Sequence, residues 1–389
     1  MERRIAWSAP LLALAMAVFF SRLGEGLQGG VATNFYVQDL QLGGDRVLWL
    51  SGIREIPGLL LVFLAALLAF LPLSRQAAVA VLLMGLGYGA YAIVHSYLAL
   101  IVASLVASIG FHNWMPLQSS LSMSLVPKSH SGRILGRMSA VGAFAGLGGM
   151  LLVTLLVNRL GLRAFFVLSG IALAIGAAWL LRIPPDVGGE GSQTRKLVFR
   201  RRYWLYYVLI FFEGSRTQVF FAFASWVLAQ FYGLDAQKLS LLLIVSGIVN
   251  LVGMPRMGAL IDRLGERAVL LMSYSGLALS FIGYALIHNV WILAALYVSI
   301  NFLVLSRVAL DTYANRIALP GDLVPTLTAG VSVNHITSVS MSLLAGTLLR
   351  IVGYETLSWG AALMILLSMP FAMLVRSAPA EERAGSPAA

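Results

Sequence analysis

The sequence predicts an all-α polytopic membrane protein with about twelve transmembrane helices in two pseudo-symmetric six-helix bundles, and three observations carry that expectation. The chain is 59% hydrophobic and 11% charged with a mean hydropathy of +0.87, which leaves too little polar surface to coat a water-soluble body of 389 residues. Apolar runs of about 20 residues, the length that crosses a hydrocarbon core, recur from end to end. Short matches between the halves recur at a nearly constant offset of 193 to 198 residues: Phe35-Tyr36 with Phe231-Tyr232, Ser51-Gly52-Ile53 with Ser246-Gly247-Ile248, His95 with His288, and Val126-Pro127 with Val324-Pro325.

Taken in order, the expected spans are 9 to 37, 46 to 72, 77 to 95, 97 to 125, 133 to 157 and 162 to 182 in the first half. The second half supplies 203 to 232, 238 to 260, 268 to 288, 290 to 316, 325 to 350 and 356 to 376. The first run, Ala13 to Phe20, continues through Gly-rich sequence into a full-length span, so no cleavable signal is expected. Between Pro184 and Arg202 the composition turns to Pro, Gly, Ser and Arg, which divides the chain into an N-terminal bundle (1–182), a linker (183–202), a C-terminal bundle (203–376) and a small polar tail (377–389) expected to be disordered.

Basic residues cluster on one side of these spans: Arg3 and Arg4, Arg75, Lys128 with Arg133 and Arg137, Arg195 to Arg202, Arg256 with Arg263 and Arg267, and Arg376. By the positive-inside bias that side is cytoplasmic, with both termini on it in a plasma (inner) membrane, and an even span count follows. The net charge of +11 is read the same way rather than as a nucleic-acid footprint. Cysteine is absent, which excludes disulfides, thiolate metal sites and a cysteine nucleophile. No nucleotide-binding glycine loop, metal cluster or nucleophile-base arrangement emerges, so neither a cofactor nor an enzyme activity is expected.

The loop after the eighth span reads Gly258-Ala-Leu-Ile-Asp262-Arg263-Leu-Gly265-Glu266-Arg267, and it resembles the signature loop of the major facilitator superfamily. Gly258 suits close helix approach, Asp262 can pair with a cation or a helix N-terminus, and Gly265 permits a tight turn. Glu266 stands where the family prefers a base, and the matching loop of the first half, Leu71 to Arg75, has no aspartate. The resemblance implies a secondary transporter in which two bundles rock about a central site. Its implied partners are the lipid bilayer, a small-molecule substrate and protons, with no nucleic acid, and the protein is expected to be a monomer. In the fifth span, Gly142 to Gly149 partly resembles the glycine-rich motif of drug antiporters but lacks its proline, and close packing of small residues explains it as well.

An ionisable group at membrane depth costs several kcal/mol unless it is paired or wet, so charges inside the spans are the candidate site. Arg22 and Glu25 share a helix face, with Gln28 a turn further. Glu213 and Arg216 repeat that spacing in reverse, with Gln218 nearby, and the resemblance implies that the first and seventh helices line the cavity. Arg54 and Glu55 are neighbours and cannot face one way, whereas Arg307 and Asp311 share a face four residues apart. His112, Asn113 and Trp114, Asn250, and Asn334 with His335 add polar and aromatic groups near mid-span. Each charged pair is also readable as a structural salt bridge, and each histidine as a hydrogen-bonded core residue. Glu25, Glu213, His112 and His335 are the groups that titrate, so a proton is the expected coupling ion. Substrate readings stay open between a zwitterion, an organic anion or organic phosphate held by Arg22 and Arg216, and an amphipathic drug whose charge meets a glutamate. A membrane enzyme and a non-transporting receptor or sensor on the same fold are the readings from other classes.

Overall fold

The computed structural model describes residues 7–188 and 199–376, and among them all regular structure is helical. Helix α1 (Ala9–Asn34) is capped by the Ser8 hydroxyl, which accepts from the Leu11 amide at 3.4 Å, and Pro10 sits in the first turn, where no N–H is needed. It runs on as a π-helical turn, Phe35–Asp39. Next come α2 (Gly44–Leu59) and α3 (Leu61–Leu68), one span broken at Leu60 just after Pro57, which removes a helical donor. The first repeat closes with α4 (Leu73–Ala90), α5 (Tyr97–Ser124), α6 (Ser131–Leu160) and α7 (Leu162–Leu180).

The second repeat comprises α8 (Trp204–Tyr232), α9 (Ala236–Leu264), α10 (Glu266–Leu286), α11 (Val290–Leu303) and α12 (Val308–Ile317), the last two joined by a 3-10 turn, Val304–Arg307. Helix α13 (Leu323–Met373) is 51 residues long, about twice what a bilayer needs, and is two spans meeting at Gly353, whose φ of 80° no other residue type adopts cheaply. Among the described residues nine helices are long and apolar enough to cross a membrane. Counting α2 with α3 as one span, α8 with its internal charges as another, and α13 as two gives the twelve expected spans.

Two compact units are resolved by contact. The described part of unit 1 is 7–42, 53–188 and 233–244. Here α1 packs on α6 and α7, and α4 on α5 and α7. A Cβ at Gly26 would stand 2.2 Å from the Gly146 carbonyl oxygen, so the α1–α6 crossing is closer than alanine allows. Helix α9 begins in this unit: the Ser240 hydroxyl donates to the Gly30 carbonyl at 2.9 Å, and the Asn34 amide to the Leu234 carbonyl at 2.8 Å. Arg163 pins one end, pairing with Asp39 at 3.0 Å and donating to the carbonyls of Ala92 and Val94 at 2.8 and 2.9 Å.

Unit 2, described over 43–52, 199–232 and 245–376, is built around α13, which packs on α8 and α10. Its first turns of α2 sit on the first half of α13, where the Trp49 indole N–H is shared between the Leu343 carbonyl at 3.1 Å and the Thr347 hydroxyl at 3.3 Å. At the other end Arg200 pairs with Asp322 at 3.0 Å and the Tyr203 hydroxyl donates to the same carboxylate at 2.8 Å, so Arg200 is anchored to protein rather than left to headgroups alone. Of the expected linker, residues 189–198 lie outside the described residues, as does the whole tail 377–389.

Candidate functional site

In unit 1 the Arg22 guanidinium donates to Glu25 Oε2 at 2.7 Å, one helical turn away on α1. The couple lines a cavity of about 440 Å³ with Gly26, Gln118 of α5, and Met138, Ser139, Gly142, Ala143, Gly146 and Met150 of α6. Glycines 142 and 146 make this room, because a Cβ at 142 would press on Arg22 Cγ at 3.0 Å. The drug-antiporter-like stretch therefore serves close packing against α1 and clears one cavity wall. Two buried oxygens of the lining residues, Glu25 Oε1 and Gln118 Oε1, accept no hydrogen bond. Gln118 and Ser139 were not singled out in the sequence; the available signal for Gln118 was an amide two residues past Pro116 and about two turns beyond His112 and Asn113 on the same helix. Gln28, buried with its Nε2 unbonded, does not line this cavity.

Arg54 and Glu55 turn to different helices. Arg54 donates to the Tyr88 hydroxyl of α4 at 3.4 Å, beside an aromatic group that includes Tyr91. Glu55 Oε2 stands 3.8 Å from His112 Nε2 on α5. The Ser108 hydroxyl donates to the Arg54 carbonyl, and His112 Nδ1 lies 3.0 Å from both the Ser108 hydroxyl and its carbonyl oxygen. A carbonyl only accepts, so the contact with the Ser108 carbonyl assigns the ring hydrogen to Nδ1 and leaves Nε2 turned toward Glu55. Asn113 spends its amide on the Ile109 carbonyl at 2.8 Å, and Trp114 is fully buried with its indole N–H unbonded; neither faces open space.

Unit 2 departs from the expected pairing. Glu213, 1% exposed, accepts from Thr217 at 3.0 Å and from the Asn334 amide of α13, and lies 3.8 Å from Arg307. Arg307 is thus partnered by Glu213 and not by Asp311, which is exposed. Arg307 closes the 3-10 turn and its side chain reaches across to α8 rather than along α12. Arg216 is likewise not paired with Glu213: its guanidinium lies 4.1 Å from the ring centre of Tyr274 on α10, and its Nε and one terminal nitrogen are buried without hydrogen-bond partners. The Glu213 carboxylate is instead taken up by Asn334 of α13 and Arg307 of the 3-10 turn. Trp226 packs on Gly44 and, edge-on at 5.3 Å, on Phe231. Asn250 is half-buried in α9 and His335 half-buried in α13, while the side chain of Gln218 lies outside what is described. A second cavity of about 480 Å³ is lined by Phe231, Tyr232, His288, Gly353, Tyr354 and Glu355, with His288 and Glu355 3.3 Å apart.

The loop between α9 and α10 turns on Gly265, at φ 81°, whose amide donates to the Ile261 carbonyl at 2.8 Å. Asp262, Arg263 and Arg267 are exposed. Gly258 faces open space among the described residues, so the close approach expected there is absent. The residue that looked out of place in this loop is the one engaged: Glu266 is buried and pairs with Arg316 of α12 at 3.0 Å.

Solved structures with this fold include a mutant of the nucleoside transporter NupG, with a TM-score of 0.80 at 13% identity over 95% of this chain and 100% of that one. A D-xylose-proton symporter gives 0.69 at 14% identity over 94% and 97%. A bacterial homologue of the iron transporter ferroportin, in an inward-facing state, gives 0.71 at 14% over 93% and 97%. No curated protein matches the sequence. The family model described as Major Facilitator Superfamily matches residues 14–329, most of the chain. That family consists of transporters rather than enzymes. With its twelve spans, its repeat and its buried charges, the chain is an integral membrane transporter belonging to the major facilitator superfamily.

Proposed function

We propose that the protein is a proton-coupled secondary active transporter that moves a small solute by alternating access, with both termini and the 188–202 segment cytoplasmic in the plasma membrane. The observation that carries this reading is the pair of partly buried ionisable couples in unit 1, Arg22 with Glu25 at a cavity and Glu55 with His112, which are costly to keep at membrane depth without use. Glu55 and His112 hold the transported proton between facing atoms, and the Arg22–Glu25 couple meets the solute. The similar structures named for nucleoside and D-xylose–proton transport are consistent with a small polar cargo.

The test uses proteoliposomes with an imposed pH gradient. Uridine or D-xylose entry is expected to acidify the lumen. Glu55→Gln and His112→Phe are each expected to abolish gradient-driven accumulation while solute exchange continues. Normal accumulation by both variants would sink the proton assignment.

A second reading rests on Arg216, whose buried guanidinium lacks a carboxylate partner among the described residues. An organic anion would supply one. Arg216→Lys, which cannot copy the planar fork, is then expected to weaken anion uptake at least tenfold, whereas uptake of a neutral solute is unchanged.

A further inference from the structure

The structure assigns a second ligand site, for a small organic cation, to the cavity of about 480 Å³ in unit 2, where the Glu355 carboxylate stands among the rings of Phe231, Tyr232 and Tyr354. Three segments build it: the last turn of α8 with Phe231 and Tyr232, the joint between α10 and α11 with His288, and the joint inside α13 from Gly353 to Glu355. His288 follows the end of α10 that lies farthest from the α9–α10 loop, so the topology proposed above puts this cavity on the non-cytoplasmic side.

The groups that make the site are open to a ligand. The Glu355 side chain is 49% exposed and that of His288 63%. Phe231 is 52% exposed and is held in place from behind: Tyr354, itself buried, lies 4.6 Å away between ring centres, and Trp226 meets Phe231 edge-on at 5.3 Å. A Cβ at Gly353 would meet nothing within 4 Å, so the α13 joint leaves its side of the cavity unobstructed.

Charge selects the class. Among the described residues no Lys or Arg lines the cavity, so its wall is negative with a neutral imidazole and uncharged with an imidazolium. An anion is repelled in the first state and unassisted in the second. A neutral solute gains ring contacts alone. An alkylated ammonium gains from both the carboxylate and the negative faces of the rings.

His288 competes for the same carboxylate. Its Nε2 lies 3.3 Å from Glu355 Oε1, and so exposed a pair adds little to stability. Protonated, it cancels the charge that the ligand needs, and neutral, it leaves that charge free. The other titratable groups of the wall are the Tyr232 and Tyr354 phenols, whose hydroxyls are 3.4 Å apart, and phenols ionise only in alkaline solution. Affinity for a cation therefore falls as pH falls.

Saturation-transfer NMR of the purified full chain in maltoside micelles tests this with choline and its uncharged isostere, 3,3-dimethylbutan-1-ol. Choline is expected to bind about tenfold more tightly than the isostere at about pH 8. Glu355→Gln, which keeps the shape and removes the charge, is expected to weaken choline about tenfold while leaving the thermal unfolding midpoint in place. Lowering the pH to about 5.5 is expected to weaken choline about threefold or more in the unsubstituted chain and less than about twofold in His288→Gln. Equal affinity for the two probes, choline binding indifferent to Glu355→Gln, or a pH dependence that survives His288→Gln would each overturn the assignment. If Glu355→Gln does not fold, Phe231→Leu at an exposed position removes a ring face instead, and choline binding indifferent to that change overturns it as well. Flux plays no part in the readout, so the outcome is independent of the transport reading.

Discussion

Glu213 and Arg216 stand three residues apart on one helix and have opposite circumstances. Glu213 is held by Thr217, Asn334 and Arg307, whereas Arg216 rests on the face of Tyr274 without a carboxylate. Glu213→Ala is therefore expected to lower stability by about 1–3 kcal/mol, since it orphans a buried amide and deprives Arg307 of its partner. Arg307 is 43% exposed and water repays most of its loss, which keeps the estimate at the lower end. Asp311→Ala, at an exposed carboxylate without an ion pair among the described residues, is expected to change little. Thermal unfolding of both variants in detergent checks the contrast, and equal losses would mean that Glu213 is not the organising acid of unit 2. The sequence marked Glu213, Arg216, Arg307 and Asp311 as costly charges, but their partners come from other helices: Asn334 and Arg307 for Glu213, and the Tyr274 ring for Arg216.

Among elements, the joints are the most informative. Gly161 between α6 and α7 has φ 74° and ψ 165°, and Gly353, at the corresponding joint inside α13, has φ 80° and ψ 172°. That backbone region is essentially restricted to glycine. Gly161→Ala and Gly353→Ala are each expected to cost about 1–3 kcal/mol and, lying in different units, to add in the double variant. Chemical denaturation reads this directly, and a strongly sub-additive pair would show that one joint relaxes when the other does. Gly26→Ala acts differently, by forcing a Cβ onto the Gly146 carbonyl 2.2 Å away. Overpacking of that kind is expected to cost about 1–3 kcal/mol and to distort the cavity wall.

At the scale of the whole molecule, large apolar side chains such as Phe63 (71% exposed) and Phe70 (81% exposed) on and just after α3 are what a chain solvated by lipid presents. The proposed topology makes a cysteine at position 190, on this cysteine-free background, accessible to a membrane-impermeant maleimide only from the cytoplasmic side. Labelling from outside alone would invert the orientation. The exposed Asp262 in the α9–α10 loop is expected to act on the balance between conformations, so Asp262→Asn should slow transport several-fold while solute affinity stays within about twofold. A large loss of affinity at normal turnover would place Asp262 in the binding site.

Composition, the recurrence of apolar runs and the internal offset were sufficient by themselves to determine a helical membrane protein of twelve spans in two repeats, because lipid leaves the backbone few alternatives and a span has a fixed length. The signature loop was legible for the same local reason, as a turn whose Gly265 must take a positive φ. Apart from Arg22 with Glu25, one turn apart on a single helix, the ion pairs inside the spans were not legible, because they form between helices. Glu55 meets His112 57 residues away, Glu213 meets Asn334 and Arg307, and Glu266 meets Arg316, none of them at a spacing that helical periodicity can flag. Gln118 came to line a cavity only when α1, α5 and α6 enclosed one. Tertiary packing alone decided which buried charges found a partner, because those partners stand on helices far apart in the sequence.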